Sequence, residues 1–231
     1  MANAIEIKIN NNDGTSTILE RKDCVKYLGV LIDDKISWNS HISYICSRIS
    51  KNTGILYKLR NYLSLQQLKQ LYYSLIYPYI TYVIVAWGST YQTHLKKIQI
   101  KQNHLIRLIF FATLYGKNTE SALPLLNLLD FLTVNNIYRQ QTLKFIYQWH
   151  IKCLPEVFAS YFTYSSDVHS YNTRYAAQHN LYQTRSRTNT GKQMISAKAV
   201  KLWHELPIKI KKQNMNTFPK NLKQYLLQNQ C

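Results

Sequence analysis

Acidic side chains are scarce in this sequence of 231 residues, which contains 11 Asp and Glu against 29 Lys and Arg. The formal net charge is +18. All six acidic residues of the first third lie at or before Asp34, and residues 35–119 contain eleven basic side chains and no carboxylate. A positive excess of this size predicts a polyanionic partner, most commonly nucleic acid. The alternative is a solvated cationic face.

Metal-binding and secretory patterns are also lacking. The four cysteines form no C-x-x-C pair and lie at Cys24, Cys46, Cys153 and Cys231. This spacing predicts neither a zinc ribbon nor a disulfide framework, and His169 and His179 add no spacing typical of a metal cluster. The opening MANAIEIKIN has no apolar core of a secretory signal. We therefore expect a reducing location in the cytoplasm or nucleus.

One uncharged run, residues 70–95, is nearly long enough to span a bilayer. Its apolar part contains five tyrosines and Pro78, where Leu and Ile would dominate a membrane span, and basic residues flank both ends. We expect residues 71–87 to form a buried, aromatic-rich helix pair. A single membrane span there is the alternative.

The order of hydrophobic patterns predicts a mainly α fold with a short N-terminal antiparallel β element. Alternating Ile5, Ile7 and Ile9, the turn NNDG at 11–14 and a return strand at 15–19 predict a hairpin. The run CVKYLGVLI at 24–32 predicts a third strand. Helical spacing follows from Trp38 to Leu63, and a capping-box pattern at 64–67 opens a helix that a proline at 78 kinks or ends.

Further helices are predicted at 94–111, from an N-cap at Thr133 to Lys152, and at 196–205 and 218–228. Residues 162–191 show no clear period. We therefore predict a β element at 1–36, a helical domain at 37–154 and a smaller, less regular C-terminal module at 155–231.

Adjacent aspartates at 33 and 34 follow an apolar strand, as the metal-binding pair of a polymerase palm does. Two-metal phosphoryl transfer also needs a third carboxylate and a nucleotide pocket, and only one hairpin precedes this pair. We therefore predict that Asp33 or Asp34 caps the helix that begins near Trp38, and that neither is catalytic.

Seven short motifs follow one another along the chain. They are KYLGVLIDDKISWNSHI at 26–42, ILYKLR at 55–60, LYYSLIYPYITY at 71–82, AWG at 86–88, HSYNTR at 169–174, TRSRTNTGK at 184–192 and KLWHELP at 201–207. This ordered set resembles the C-terminal region of reverse transcriptases from jockey-like, non-LTR (LINE-type) retrotransposons. The resemblance covers nearly the whole chain, from about residue 5.

The resemblance implies that Tyr27, Leu28 and Gly29 end a primer grip, whose backbone holds the 3′ end of the growing strand. Gly29 either permits close approach of that strand or is a β-bulge or packing glycine. The helices that follow resemble a thumb, which tracks the template-primer duplex. The family's catalytic aspartates lie upstream of this chain's first residue, so Mg²⁺ would belong to that palm and no cofactor is expected here.

This resemblance implies a nucleic-acid-binding part of an RNA-directed DNA polymerase that is inactive alone. Its expected partners are RNA, RNA–DNA or DNA duplexes and the upstream palm and fingers of the same polyprotein, with no membrane. The alternatives are a functional part of an active reverse transcriptase with an upstream palm, and a membrane protein with one span at 71–87.

Two basic groups are the candidate contacts with nucleic acid. The first is the polar side of the helix at 94–111, since Lys and Arg fix phosphates without reading bases. Its residues are Lys97, Lys101, His104 and Arg107. The second is a C-terminal stretch where cations alternate with aromatic residues, which suits single-stranded RNA. Its residues are Arg174, Arg185, Arg187 and Lys192. We expect Trp203 nearby to be a core residue.

Overall fold

The computed structural model describes residues 7–10, 15–111, 122–168 and 180–230. The chain divides into two compact units, one up to His41 and one from Ile42 onward. Short antiparallel strands lie in the first unit, and nearly all the helical residues lie in the second. The fold is therefore mainly α with a short N-terminal β element, as predicted.

The described residues of the first unit form two two-stranded antiparallel sheets. Strand β1 (Ile7–Asn10) pairs with β2 (Ser16–Leu19), so that Ile7 lies opposite Leu19. The predicted turn at 11–14 and Ile5 lie outside the described residues. Strand β3 (Cys24–Tyr27) pairs with β4 (Val30–Asp33). The single strand predicted over 24–32 is thus two strands joined by a two-residue turn.

Positive backbone angles explain why that strand divides. Leu28 has a φ of 45° and Gly29 a φ of 83°, and positive φ at both central residues is the property of a type I′ hairpin turn. Glycine adopts this conformation freely, whereas a leucine there costs about 1 kcal/mol. The turn conformation, rather than a β-bulge, therefore accounts for Gly29.

The second unit is built from helices of very different length. In chain order they are α1 (Asn39–Leu59), α2 (Leu65–Leu75), α3 (Tyr77–Thr81), α4 (Ile84–Trp87), α5 (Gln92–Phe111), α6 (Leu123–Leu128), α7 (Val134–His150), a 3-10 helix (Glu156–Tyr161), α8 (Ser165–Val168), α9 (Asn189–Gln193), α10 (Ile195–Glu205), α11 (Ile208–Lys211) and α12 (Phe218–Gln228). Two predicted helix starts are confirmed: Ser64 and Gln67 form both bonds of a capping box, and the Thr133 side chain caps α7.

The long uncharged run is a junction of three short helices. Helix α2 ends at Leu75, Pro78 lies in the first turn of α3, and Val83 adopts a left-handed φ of 51° before α4. Residues at three- and four-residue steps through it are almost completely buried, which confirms the predicted packing into the core, but the run forms three helices and not the predicted pair. The buried residues are Tyr72, Ile76, Ile80, Ile84 and Trp87. Across the described ranges, every helix is too short or too polar to cross a membrane.

Helix α7 is the central element of the second unit, since α3, α4, α5, α10 and α12 all pack against it. Tyr147 of α7 stacks on Phe218 of α12 with ring centroids 3.9 Å apart, and Trp203 of α10 is fully buried. The boundary predicted near residue 154 therefore falls inside this compact unit. The helices after it fill the same core as α7.

The start of α7 is held by amide side chains. The Val134 amide donates to Gln99 Oε1 of α5 at 2.7 Å, and the Thr133 amide donates to Gln230 Oε1 at 2.9 Å. Asn136 Nδ2 also donates to Gln230 Oε1, at 3.3 Å. The first amides of a helix lack partners within it, so these bonds satisfy donors that would otherwise be buried without one.

The segment just before α7 is held in the same way. Gln102 of α5 is fully buried, and its Nε2 donates to the Leu132 carbonyl at 2.9 Å and to the Tyr72 hydroxyl at 2.8 Å. Gln230 Nε2 donates to the Phe131 carbonyl at 3.1 Å. Side chains of α5 and of the last turn of the chain thereby tie α2, α5 and α7 together.

Replacing Gln230 by alanine should lower the free energy of unfolding by about 2 kcal/mol, because it leaves buried partners at Thr133 and Phe131 unsatisfied. Urea denaturation followed by far-UV circular dichroism measures the change. Gln228→Ala is the matched control, since Gln228 is the last residue of α12, two positions before Gln230, and its side chain is exposed. Equal losses in both variants would contradict the role assigned to Gln230.

Substitutions in the β3–β4 turn should act in opposite directions. Leu28→Asn should stabilise the hairpin by up to about 1 kcal/mol, because asparagine tolerates the left-handed conformation that leucine resists. Gly29→Ala should destabilise it by about 1 kcal/mol. Amide hydrogen exchange across β3 and β4 reports both changes, and faster exchange in Leu28→Asn would show that the turn is not of this type.

Candidate nucleic-acid interface

The positive charge is concentrated in the second unit. From Ile42 onward the sequence holds 24 of the 29 Lys and Arg residues but five of the 11 Asp and Glu residues. The net formal charge of this unit is therefore +19, and that of the first unit is −1. An anionic partner is consequently attracted to the helical unit.

Helix α5 has one buried and one exposed side, as predicted. Leu95, Ile98, Leu105, Ile106 and Ile109 are at most 3% exposed. The opposite side, called the α5 face below, is exposed to solvent. It consists of Lys96, Lys97, Ile100, Lys101, His104 and Arg107. Gln99 accepts from the first amide of α7, and Gln102 donates to the Leu132 carbonyl just before it. These bonds fix the rotation of α5, so its cations point away from the core.

The positive potential of the α5 face extends toward α1. Burial raises the pKa of the Cys46 thiol in α1, and the nearby charges of Lys97 and Lys101 partly offset that rise. Two further cations of α1, Arg48 and Lys51, are exposed, and the Arg48 guanidinium lies 5.1 Å from the Tyr44 ring centroid. Because the sequence has no carboxylate at 35–119, neither α1 nor α5 carries an acidic side chain of its own to offset these cations.

The three primer-grip candidates lie together at the tip of the β3–β4 hairpin. Tyr27 is 64% exposed and Leu28 is 73% exposed, while Gly29 completes the turn. An aromatic and an aliphatic side chain are therefore presented to solvent next to a strained backbone. Sequence reasoning identified these residues through the family motif, without the turn geometry.

The aspartate pair has structural partners. The Asp33 carboxylate accepts hydrogen bonds from the Ser37 and Trp38 amides, each at 2.8 Å, and thus holds the residues just before α1. Burial pushes the pKa of Asp33 upward, but these bonds outweigh it and hold the pKa below its usual value. Asp34 pairs with Arg21 at 3.2 Å. Within the part of the chain that the structure describes, His, Cys, Asp and Glu form no group of three that could hold a metal ion.

The C-terminal candidates are only partly covered by the structure. Arg174 lies outside the described residues, whereas Arg185, Arg187 and Lys192 are exposed in the segment that leads into and forms α9. Trp203 is fully buried, as expected for a core residue. Tyr182, which precedes the two arginines in the sequence, is 39% exposed and offers part of its ring to solvent.

A pocket that sequence reasoning missed lies between α2, α3, α7 and α12. Its volume is about 310 Å³. We call it the lysine pocket, and its lining consists of Tyr72, Tyr73, Tyr77, Phe131, Leu132, Gln140, Lys144, Pro219, Lys220 and Lys223. These residues are brought together from segments up to about 150 positions apart. No local sequence pattern marks such a site, although the spacing of Lys220 and Lys223 places both on one side of α12.

Comparisons with known proteins identify relatives for part of the chain. It is 32% identical over 100 residues to a probable RNA-directed DNA polymerase from transposon X-element of Drosophila melanogaster. It is 34% identical over 99 residues to the RNA-directed DNA polymerase from mobile element jockey of Drosophila funebris, and 30% identical over 106 residues to that of Drosophila melanogaster. No family model and no solved structure matches.

These matches cover 41–45% of this chain and 11–12% of the length of each relative. All three relatives are named as RNA-directed DNA polymerases of mobile elements. The chain therefore contains a region similar to jockey-like reverse transcriptases, which confirms the predicted resemblance over this part of the chain.

Proposed function

We propose that this chain is the nucleic-acid-holding part of a jockey-like RNA-directed DNA polymerase, gripping the template-primer duplex without supplying catalytic carboxylates. The α5 face is the observation that carries this proposal. It presents four Lys and Arg side chains and His104 on a helix whose opposite side is anchored in the core. The similarity to mobile-element polymerases supports nucleic acid as the anion.

The dimensions of the α5 face suit a duplex. Lys97 and Arg107 are ten residues apart, which corresponds to about 15 Å along the helix axis. A duplex carries a negative charge about every 1.7 Å of its axis, so several phosphates lie within that length. Lys and Arg contacts to phosphates position a duplex without reading its bases. A polymerase that must copy any template needs contacts of this kind.

The hairpin tip is proposed as the end of the primer grip. Leu28 keeps a costly left-handed conformation while its apolar side chain is exposed, and such strain is typical of functional positions. Tyr27 beside it offers a ring for contact with a terminal sugar or base. Gly29 permits the turn that presents both side chains.

The C-terminal segment is proposed to contact single-stranded RNA. Arg185, Arg187 and Lys192 are exposed, and Arg174 belongs to the same basic stretch of the sequence. Cations and exposed rings such as Tyr182 together bind phosphates and stack bases. In this proposal the palm and fingers of the same polyprotein are the protein partner, and Mg²⁺ is held by that palm.

Replacing Lys97, Lys101 and Arg107 together by glutamine should weaken binding to an RNA–DNA duplex and lower the log–log salt slope by roughly two to three units. The loss should be nearly the same for duplexes of different sequence, because phosphate contacts carry no base information. Fluorescence anisotropy across a salt series measures both quantities.

The matched control replaces three exposed lysines outside the α5 face, Lys152, Lys209 and Lys212, by glutamine. It removes the same charge and should change the slope by less than one unit. Far-UV circular dichroism verifies that both variants remain helical. Equal slopes in the two triple variants would show that net charge, rather than the α5 face, determines binding.

The chain alone should not extend a primer, because Asp33 already holds the Ser37 and Trp38 amides and two-metal transfer needs further carboxylates. Primer extension on a homopolymer template with Mg²⁺ or Mn²⁺ is the measurement, and a full-length viral reverse transcriptase serves as positive control. Incorporation that disappears in Asp33→Asn would contradict this assignment.

A further inference from the structure

The lysine pocket has an aromatic wall. Tyr72 stacks on Phe131 with ring centroids 4.1 Å apart, and the Tyr73 and Tyr77 centroids are 5.2 Å apart. Tyr72 and Phe131 are fully buried, whereas Tyr73 and Tyr77 are half-buried at the pocket surface. The wall therefore combines a fixed inner stack with two accessible rings. A flat apolar group can pack against such rings.

The lining of the pocket also carries positive charge. Lys144 of α7 and Lys220 and Lys223 of α12 line it, and the residues that form its lining include no carboxylate. The nearby Asp130 lies 3.8 Å from Lys69 and its side chain is 67% exposed. One exposed carboxylate cannot neutralise three lysines.

The positive charges in and beside the pocket lower one another's pKa. Burial lowers the pKa of Lys144, and the charge of Lys223 lowers it further. Burial also lowers the pKa of Lys223, with Asp130 opposing and Lys69 adding to the effect. The Lys223 ammonium lies 3.5 Å from the Tyr73 hydroxyl and 5.9 Å from its ring centroid. A bound anion would relieve this repulsion.

We propose that the lysine pocket binds one phosphorylated nucleotide unit. The phosphate contacts Lys144, Lys220 and Lys223, and the base packs against the exposed sides of Tyr73 and Tyr77. A volume of about 310 Å³ is at the small end of ligand pockets and suits a single nucleotide rather than a longer segment. A paired base in a duplex remains stacked and cannot enter such a pocket.

This inference goes beyond the proposed duplex contact and involves different residues. The α5 face binds phosphates of a duplex over an extended helix surface, whereas the lysine pocket binds an unstacked nucleotide. Loss of duplex binding should therefore leave nucleotide binding intact, and loss of nucleotide binding should leave duplex binding intact. The Lys97, Lys101 and Arg107 glutamine variant is expected to retain nucleotide binding, so failure of either proposal can be recognised separately.

Isothermal titration calorimetry of the full chain with adenosine 5′-monophosphate tests the proposal. Adenosine and inorganic phosphate are the two partial probes, and each should bind at least about tenfold more weakly than the nucleotide, because each uses only half of the pocket. Failure of the nucleotide to bind at millimolar concentration, or equal binding of inorganic phosphate, would overturn the proposal.

Paired substitutions locate the binding. The double variant Lys144→Gln and Lys223→Gln should weaken nucleotide binding at least about tenfold. The control variant Lys209→Gln and Lys212→Gln removes the same charge from exposed positions in or beside α11, and it should leave nucleotide binding unchanged. Lys220→Gln is a milder variant at an exposed pocket residue, expected to fold normally and to weaken binding by about threefold. Equal effects of pocket and control variants would contradict the site.

The source of the nucleotide is identified with pentadeoxyadenylate that carries either a 5′-phosphate or a 5′-hydroxyl. Tighter binding of the phosphorylated strand indicates a strand end, and equal binding of both indicates an internal unstacked nucleotide. Binding of the mononucleotide but neither strand indicates a free nucleotide. Each of these results supports binding in the lysine pocket only if that binding is lost in the variant that combines Lys144→Gln and Lys223→Gln.

Discussion

The buried amide network at the start of α7 is the interaction on which the helical unit depends. Gln99 and Gln102 of α5 and Gln230 near the chain end satisfy the backbone of the segment that leads into α7. In a chain with so few carboxylates, neutral amides provide the capping that acidic residues often supply. The same bonds determine which side of α5 faces outward, so the position of the basic side chains follows from the packing of the core.

Lysine in this chain serves at least three purposes, and net charge alone does not separate them. Lys97 and Lys101 are exposed on the α5 face. Lys211 is instead buried beside Trp203 and donates to Asn180 at 3.0 Å, and burial lowers its pKa to about 8. Lys198 donates to the Ser89 carbonyl. Only the lysines with exposed or pocket-facing ammonium groups are available to an anionic partner.

Local signals in the sequence predicted those features that depend on neighbouring residues. The capping box at Ser64, the N-cap at Thr133 and the two sides of α5 all follow from short spacing rules. The division of residues 24–32 into two strands does not follow from such rules, because β-forming residues surround the turn and leucine is an unusual residue for it. The lysine pocket could not be predicted either, since its residues meet only after α2, α7 and α12 have packed together.

The proposed contact between the α5 face and the backbone of a nucleic-acid duplex can be tested directly. Lysine acylation with mass-spectrometric detection, with and without an RNA–DNA duplex, measures contact at single side chains in the unmodified sequence. We expect the duplex to protect Lys97 and Lys101, while Lys209 and Lys212, exposed elsewhere, react as before. Protection of Lys209 and Lys212 with no change at Lys97 and Lys101 would contradict the proposed contact.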